Sequence, residues 1–361
     1  MARVKLENLT KRFGNVIAVN RVNLEIKDGE FICLLGPSGC GKTTTLRMIA
    51  GVEKPDEGNI YIDDVLVNDL PPKDRDIAMV FQFYVMYPSM KVFDQIAFPL
   101  KIRGVPKDEI KRRVKEVASL LGIENILNEP VDRLTAGEKQ RIELGRAIIR
   151  SPKVYLLDEP LTNLDAKTRA SMRTELKHLM KTLKTTTIYV THDQIEAMSM
   201  ADRIAIMNFG NLLQCDTPDV VYNNPKNLFV AGFIGSPTMN FIDCTVIEKN
   251  GKVFLDANDF LYDISEYKEL IREFIGSEVI LGIRPEHISI SKTKQSEDSI
   301  EAKVSLIEPI SHRILFHLTL GEHSITVNTY PIEIDVNQKV WIVFNKNKIH
   351  IFDKKTEEAI I

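Results

Sequence analysis

Two kinds of apolar pattern alternate along the chain. Phe31-Ile32-Cys33-Leu34-Leu35 is an unbroken apolar run of strand length, the pattern of a strand buried on both faces. Residues 154–157, 187–191 and 203–207 are apolar strands as well, and 3–35 as a whole reads as strands and turns. Between 92 and 150 the period changes. Ile110, Val114, Val117 and Leu121 recur at helical spacing, with Lys111, Arg112, Arg113 and Glu116 on a face that reads as solvated. A helix-compatible stretch also covers 42–50, and 61–67 reads as a strand bent at Asp63-Asp64. Strands separated by helical segments predict a mainly parallel sheet with helices on its faces.

Beyond about residue 235 the pattern turns β-rich. Asn250-Gly251 lies between 244–248 and 252–255, a strong hairpin signal. Residues 314–320, 324–328 and 340–344 read as further strands, and 348–352 as a closing strand after an Asn345-Lys346-Asn347 turn. A short helix is expected within 267–275, stopped by Gly276. Short strands at close spacing predict a small barrel. A boundary near Gly235-Ser236-Pro237 therefore separates an α/β domain, 1–235, from an all-β domain, 236–361; the helical part of the first, about 84–150, forms a subdomain.

A length of 361 residues is more than one compact core usually holds, which agrees with two domains. A membrane span needs about 20 consecutive apolar residues, and the apolar runs here are only a few residues long. The start, Met-Ala-Arg-Val-Lys, lacks the apolar stretch of a secretory signal. Cys33, Cys40, Cys215 and Cys244 are scattered, without the spacing of a disulfide or metal framework, so a reducing compartment is expected. The formal net charge of −3 argues weakly against a general nucleic-acid binder.

The chemistry begins after the buried run at 31–35. Gly36-Pro37-Ser38-Gly39-Cys40-Gly41-Lys42-Thr43 matches G-x-x-x-x-G-K-[ST] at every fixed position, between a strand and a helix. Its glycines let successive N–H groups turn toward phosphate oxygens, and the helix adds the positive end of its dipole. Lys42 is expected to reach the β- and γ-phosphates and the Thr43 hydroxyl to ligate Mg²⁺; Thr44 beside them joins the expected nucleotide-binding set. Kinases, GTPases and motors share such a loop, so by itself it predicts only a nucleotide site.

Val154-Tyr155-Leu156-Leu157-Asp158-Glu159 is an apolar strand ending in two carboxylates. Such a strand delivers its last side chains to the carboxyl edge of the sheet, where α/β folds place ligands. Asp158 is suited to holding Mg²⁺ and Glu159 to polarising the attacking water. His192 ends another apolar strand and could hydrogen-bond the γ-phosphate.

Taken together these pieces resemble the ATPase subunits of ABC transporters, over almost the whole chain. Gln82 in Met79-Val80-Phe81-Gln82 is similar to the family's Q-loop glutamine, which senses Mg²⁺ and the attacking water. Asp158 and Glu159 look like its metal-holding aspartate and catalytic glutamate, Leu164-Asp165 like its D-loop, and His192 like its switch histidine. Phe13 in Lys11-Arg12-Phe13-Gly14 looks like the aromatic that stacks on adenine. Residues 83–88, Val92-Phe93-Asp94-Gln95-Ile96-Ala97-Phe98-Pro99-Leu100 and Thr191-His192-Asp193-Gln194-Ile195-Glu196-Ala197-Met198 are similar to ATPases of carbohydrate importers. Residues 229–242 (FVAGFIGSPTMNFI) and Gly282-Ile283-Arg284-Pro285-Glu286-His287 resemble the C-terminal part of maltose-type importers.

The resemblance implies an ATP- and Mg²⁺-dependent ATPase with an oligonucleotide/oligosaccharide-binding-like regulatory domain. It further implies a peripheral protein on the cytoplasmic face of the cell membrane, bound to permease subunits and served indirectly by an extracytoplasmic solute-binding protein. Two copies would sandwich two ATP molecules. The solute implied is a sugar or related small molecule, although glycerol phosphate, polyamine and some anion importers share the arrangement. The alternative is a soluble ABC ATPase working on nucleic acid. One cassette, no long heptad run and a slightly acidic charge argue against it.

One segment departs from the family pattern. Where the signature reads Leu-Ser-Gly-Gly-Gln, this chain has Leu134-Thr135-Ala136-Gly137-Glu138. By resemblance Thr135, Ala136 and Gly137 touch the nucleotide held by the opposite copy. Ala136 adds a Cβ there, and Glu138 puts a carboxylate near polyphosphate, unfavourable unless Lys139 or Arg141 offsets it.

Overall fold

The computed structural model describes residues 2–361. The chain divides into two compact units, one ending at Pro218 and the other spanning Asp219–Ile361. Strands β1 (Val4–Phe13), β2 (Val16–Ile26), β3 (Phe31–Leu35), β4 (Glu57–Ile62), β5 (Val65–Leu66), β6 (Ile77–Val80), β7 (Val154–Asp158), β8 (Thr186–Thr191), β9 (Arg203–Asn208) and β10 (Asn211–Asp216) belong to the first unit. So do helices α1 (Lys42–Ala50), α2 (Val92–Ile102), α3 (Lys107–Leu120), α4 (Ala136–Ile148), α5 (Ala166–Leu183) and α6 (Gln194–Met200).

The unbroken apolar runs become the centre of a six-stranded sheet in the order β10-β9-β3-β8-β7-β6. Its β9-β3-β8-β7-β6 part is parallel throughout. Every residue of β3, β7 and β8 is buried, so helices must cover both faces. Each large apolar side chain so buried contributes roughly 1.5–3 kcal/mol. A separate antiparallel sheet, β2-β1-β4-β5, packs its inner face into the same core through Val4, Leu6, Val22, Leu24 and Ile60. The bend expected at Asp63-Asp64 joins β4 to β5, with Asp63 in the left-handed region at φ 55°.

The apolar positions of α3 face inward as the helical spacing predicts: Ile110, Val114 and Val117 are buried, and Leu121 caps the helix end. The C-terminal end of α1 has an unusual partner. The buried Arg75 donates from Nη1 to the carbonyls of Met48 (2.8 Å) and Ile49 (2.9 Å), and from Nε to that of Leu70 (2.8 Å). A guanidinium there meets the negative end of the helix dipole and supplies a donor to the Ile49 carbonyl and a second one to that of Met48, which also accepts from the Gly51 N–H (3.1 Å).

The second unit holds α7 (Pro218–Asn223, whose first residue closes the first unit), α8 (Leu228–Phe233) and α9 (Lys268–Ile271). Its strands are β11 (Asn240–Lys249), β12 (Lys252–Asp256), β13 (Leu261–Asp263), β14 (Glu278–Ile283), β15 (Ile288–Ser291), β16 (Ile300–Ile310), β17 (Arg313–Leu320), β18 (His323–Thr329), β19 (Lys339–Phe344) and β20 (Ile349–Asp353). They form two five-stranded sheets, β13-β12-β11-β14-β20 and β15-β19-β16-β17-β18, around one core that includes Val246, Leu281, Phe316, Val327, Ile342 and Ile351. The Asn250-Gly251 hairpin forms as expected, with φ 52° and 77°. The expected helix at 267–275 shrinks to α9 flanked by 3₁₀ turns, and Gly276 follows at φ 84°.

The division falls earlier than the boundary read at Gly235-Ser236-Pro237. Segment 219–235 packs with the second unit, because Arg284 holds it. That fully buried guanidinium donates to the carbonyls of Tyr222 (2.6 Å) and Ile234 (2.7 Å) and lies 3.7 Å from the Tyr222 ring centroid. Backbone bonds Leu228 N–H to Glu357 and Ala359 N–H to Lys226 add to it.

Candidate active site

The carboxyl ends of β3, β7 and β8 lie side by side in the sheet and deliver three of the expected groups to one edge. After β3 the loop from Gly36 to Gly41 turns into α1, which starts at Lys42, so Thr43 and Thr44 lie in its first turn. Two glycines here are obligatory. A Cβ on Gly36 would stand 2.2 Å from the Met207 carbonyl oxygen; one on Gly41, at φ 106°, would stand 2.2 Å from that of Ala18. Pro37 is half-buried, Ser38 and Gly39 form the exposed tip, and Cys40 is buried beneath. Burial raises the Cys40 thiol pKa above its ordinary value, so this cysteine is a packing residue and not a thiolate. The Lys42 ammonium is buried and donates to the carbonyls of Gly36 and Pro37, both at 2.8 Å.

Thr43 Oγ1 donates to Asp158 Oδ1 at 3.0 Å. Burial raises the pKa of Asp158, and the Thr43 hydroxyl opposes the rise. A desolvated carboxylate beside a hydroxyl, at the mouth of a phosphate loop, is an oxygen donor set that fits Mg²⁺. Among the described residues no group of three His, Cys, Asp or Glu side chains is arranged to hold a metal.

Glu159 is where the edge converges. Its Oε2 accepts from Gln82 Nε2 (3.3 Å) and Thr162 Oγ1 (3.2 Å), and lies 3.1 Å from His192 Nδ1. Glu159 sits in the left-handed region at φ 46°, with its N–H bonded to Val190 O on the neighbouring strand. Such a backbone costs about 1–3 kcal/mol at a non-glycine residue and persists where its surroundings over-determine it. Here the result is a carboxylate turned across the sheet edge toward His192. Neither Thr162 nor Asn163 belongs to a sequence motif of the site, yet Asn163 Nδ2 donates to the Gln82 carbonyl at 2.6 Å. Their signal was a pair of small polar residues in the turn leaving β7.

Behind His192 lies a second polar group, centred on Glu196. The buried Glu196 accepts from Tyr189 Oη (2.8 Å) and Thr191 Oγ1 (2.7 Å), and Thr191 Oγ1 accepts from the Asp193 N–H (3.0 Å). Burial raises the Glu196 pKa, while the two hydroxyls favour its charged form. This network fixes the backbone on both sides of His192, whose ring is itself half-exposed.

The other expected residues lie apart from the phosphate loop. Phe13 is half-exposed at the end of β1, with Lys11 Nζ 5.3 Å from its ring centroid. Thr135 caps α4, followed by Ala136 and Gly137, and a Cβ on Gly137 would lie 3.1 Å from Thr168 Cγ2. Asp165 caps α5 by accepting from the N–H groups of Lys167 and Thr168, both at 3.1 Å. The first turns of α4 and α5 therefore abut within one chain. Among the described residues no hydrogen bond joins either to the loop 36–41.

The structure also revises the reading of Glu138. Its carboxylate turns back onto its own helix, accepting from the Thr135 N–H and hydroxyl at 2.8 Å each, while the Glu138 N–H donates to Thr135 Oγ1. This is a capping box, in which a carboxylate also meets the positive end of α4. Arg141, considered as its counter-charge, is engaged elsewhere: with Glu175 at 2.6 Å and with the Leu121 carbonyl at 2.8 Å.

Comparison with known proteins places this geometry in context. Family models match at three stretches: ABC transporter at 19–162, MalK OB fold domain at 235–288 and TOBE domain at 281–352. The chain is 52% identical to the trehalose/maltose import ATP-binding protein MalK of Thermococcus litoralis, across the whole of both chains. It is 46% identical to the oligosaccharides import ATP-binding protein MsmX of Bacillus subtilis and 43% identical to the sn-glycerol-3-phosphate import ATP-binding protein UgpC of Shigella sonnei, again over the full length of each. Among solved structures, cbiO1 from Clostridium perfringens, part of the ABC transporter complex cbiONQ, is 29% identical. The match has a TM-score of 0.57 and covers 60% of this chain and 89% of that one. A dimeric ATP-binding cassette in a post-hydrolysis state, bound to ADP and Pi, is 31% identical with a TM-score of 0.53 over 60% of this chain and 98% of that one.

Proposed function

The chain belongs to the ABC transporter ATP-binding proteins, and we propose that it hydrolyses ATP to energise import of a sugar or sugar-related solute through a membrane permease. The observation that carries the ATPase half is the convergence of Gln82, Thr162 and His192 on Glu159 Oε2, next to the Thr43–Asp158 pair and the phosphate loop. The import half rests on full-length similarity to sugar and glycerol-phosphate import subunits.

In this reading the loop 36–41, Lys42, Thr43 and Thr44 bind the triphosphate, and Phe13 stacks on adenine. Mg²⁺ would be held by Thr43 and Asp158 with Gln82 nearby, and when bound it supplies neutralisation of the phosphate charge. Glu159 receives the proton of the attacking water. Gln82 orients that carboxylate, and His192 holds both it and the γ-phosphate. Thr135, Ala136, Gly137 and Asp165 complete the nucleotide site of a second copy, so that two ATP molecules hold two chains together. Closure uses contacts that ATP makes in one state of the pair and not in the other.

No helix among the described residues is long and apolar enough to cross a membrane. The protein works at the cytoplasmic face through permease subunits, and a solute-binding protein outside the membrane selects the cargo. The docking groove is the one beside segment 81–87, where Phe81, Phe83, Val85 and Tyr87 are exposed. A cavity of about 170 Å³ opens there, lined by Val80, Phe81, Val85, Pro99, Glu143 and Arg146 among others.

The test is a trap. Glu159→Gln protein is expected to bind ATP, dimerise and turn over at least a hundredfold more slowly than the parent. Tagged and incubated with ATP in detergent-solubilised native membranes, it should recover multi-span permease subunits. Recovery of soluble proteins or nucleic acid alone, with the ATP dimer verified, refutes the transport role; near-normal turnover refutes the role of Glu159.

A further inference from the structure

The segment that links Glu159 to the permease groove is held at three places. At Gln82 the side chain rests on Glu159 Oε2, and the carbonyl accepts from Asn163. At Tyr87 the carbonyl accepts from Gln95 Nε2 of α2 at 2.6 Å. Between them, at Val85, both backbone polar groups are taken by one helix. The Val85 N–H donates to Glu143 Oε1, and the Val85 carbonyl accepts from Arg146, one turn further along α4. That helix opens at Thr135, the signature.

Glu143 is an odd residue for a buried helix face, where a carboxylate is rarely sunk; the nearby Arg146 guanidinium favours its charged form but makes its hydrogen bond to the Val85 carbonyl. Glu143 is 6% exposed, and the N–H it accepts is a loop backbone. Seven buried side-chain polar atoms lack a hydrogen-bond partner among the described residues. Four lie on this segment or on α2 and α4: Tyr84 Oη, Gln95 Oε1, Gln140 Nε2 and Glu143 Oε2. Two of these, Tyr84 Oη and Gln140 Nε2, can donate and two, Gln95 Oε1 and Glu143 Oε2, accept, so the polar groups around this segment are only partly paired. A polar group is costly to bury for packing alone. Here it has one job that an apolar side chain could not do, which is to grip a backbone N–H.

We propose that Glu143 is a positioning residue for hydrolysis: from the signature helix it holds the Gln82–Tyr87 segment so that the Gln82 amide stays seated on Glu159. The inference rests on the reading of Gln82 and Glu159 as the hydrolytic pair. Because Glu143 acts through Gln82, its effect disappears when Gln82 is gone.

The experiment is a kinetic cycle on the full-length protein with four chains: parent, Glu143→Ala, Gln82→Ala and the double variant. Glu143→Ala is expected to lower kcat on the order of tenfold with KM for ATP within about twofold, since misplacement costs rate while the phosphate loop is untouched. The double variant should be no slower than Gln82→Ala alone. Glu143→Gln, which keeps an acceptor for the Val85 N–H, should restore most of kcat. Should Glu143→Ala prove too unstable to assay, Arg146→Gln, which loosens the Val85 carbonyl from the same helix, is put through the same cycle. Additive losses, or a Glu143→Ala chain that melts lower yet keeps kcat per ATP-binding site, overturn the proposal. A Gln82→Ala chain with unchanged kcat overturns it together with the hydrolytic reading. A slowed Gln82→Ala beside an unaffected Glu143→Ala and Arg146→Gln overturns the proposal alone.

Discussion

At the scale of single residues, the signature departure is the most instructive. In the sequence, Glu138 stands where a neutral amide belongs, beside a site for polyphosphate. In the structure, the same carboxylate closes a capping box with Thr135. Removing the cap by Thr135→Ala should cost about 1 kcal/mol of stability, read as a lower melting midpoint of the first unit. Glu138→Gln should behave differently, because glutamine also closes a capping box. It should leave the midpoint nearly unchanged and, by removing one negative charge, tighten ATP-driven dimerisation. Sedimentation in the Glu159→Gln background measures this, and an unchanged dimer constant would show that the charge is already neutralised by the helix end. Local motifs such as Thr-x-x-Glu are legible in sequence once a helix start is suspected there. Here the same Thr135 and Glu138 also fall on the family signature, so the motif carries two meanings at once.

At the scale of elements, the chain announced what its periodicity controls. The apolar runs at 31–35, 154–157 and 187–191 predict interior strands, observed as β3, β7 and β8, and the phosphate loop at 36–43 follows the first of them and leads into a helix. Thus the phosphate loop and the Asp158-Glu159 pair are legible in the sequence itself. What stayed hidden were contacts made across long sequence separation by residues without a motif. Arg75, an arginine in a short polar turn, ends up under the C-terminus of α1. Glu143, inside an otherwise regular helix, ends up on a loop 58 positions away. Neither charge nor spacing distinguishes these from ordinary surface residues. Arg75→Ala would remove the side-chain donor from the Ile49 and Leu70 carbonyls and leave that of Met48 with the Gly51 N–H alone, at a cost on the order of 3 kcal/mol. Calorimetry should show the first unit's transition shifted down by several degrees, with the second unit's transition unmoved.

For the whole molecule, the two units carry buried titrating groups of opposite habit. In the second, burial together with Arg284, His287 and Lys348 lowers the His350 pKa to about 4. The unfolded chain therefore takes up that proton first. The contribution of His350 to stability is complete above its ordinary value of 6.5 and is lost as pH falls toward 4, by up to about 3 kcal/mol. In the first unit, burial raises Glu143 to about 7 from an ordinary 4.5. Its contribution is complete below 4.5 and is lost as pH rises through 7. Acidification from pH 7 to 5 should thus lower the second unit's calorimetric transition relative to the first, and His350→Gln should flatten that dependence. A dependence unaltered in the variant would place the titration elsewhere.

The crowding at Glu159 has a further consequence. Gln82, Thr162 and His192 all address the same oxygen, Oε2. The carboxylate is thereby made lopsided: one oxygen is moored, and the proton drawn from water is expected at the other. The base has a handedness, fixed by its neighbours before any nucleotide chemistry starts. Charge alone is then not the quantity that matters. An aspartate at this position would keep the charge yet draw the moored oxygen back by a carbon–carbon bond, out of reach of the three groups that tell its two oxygens apart.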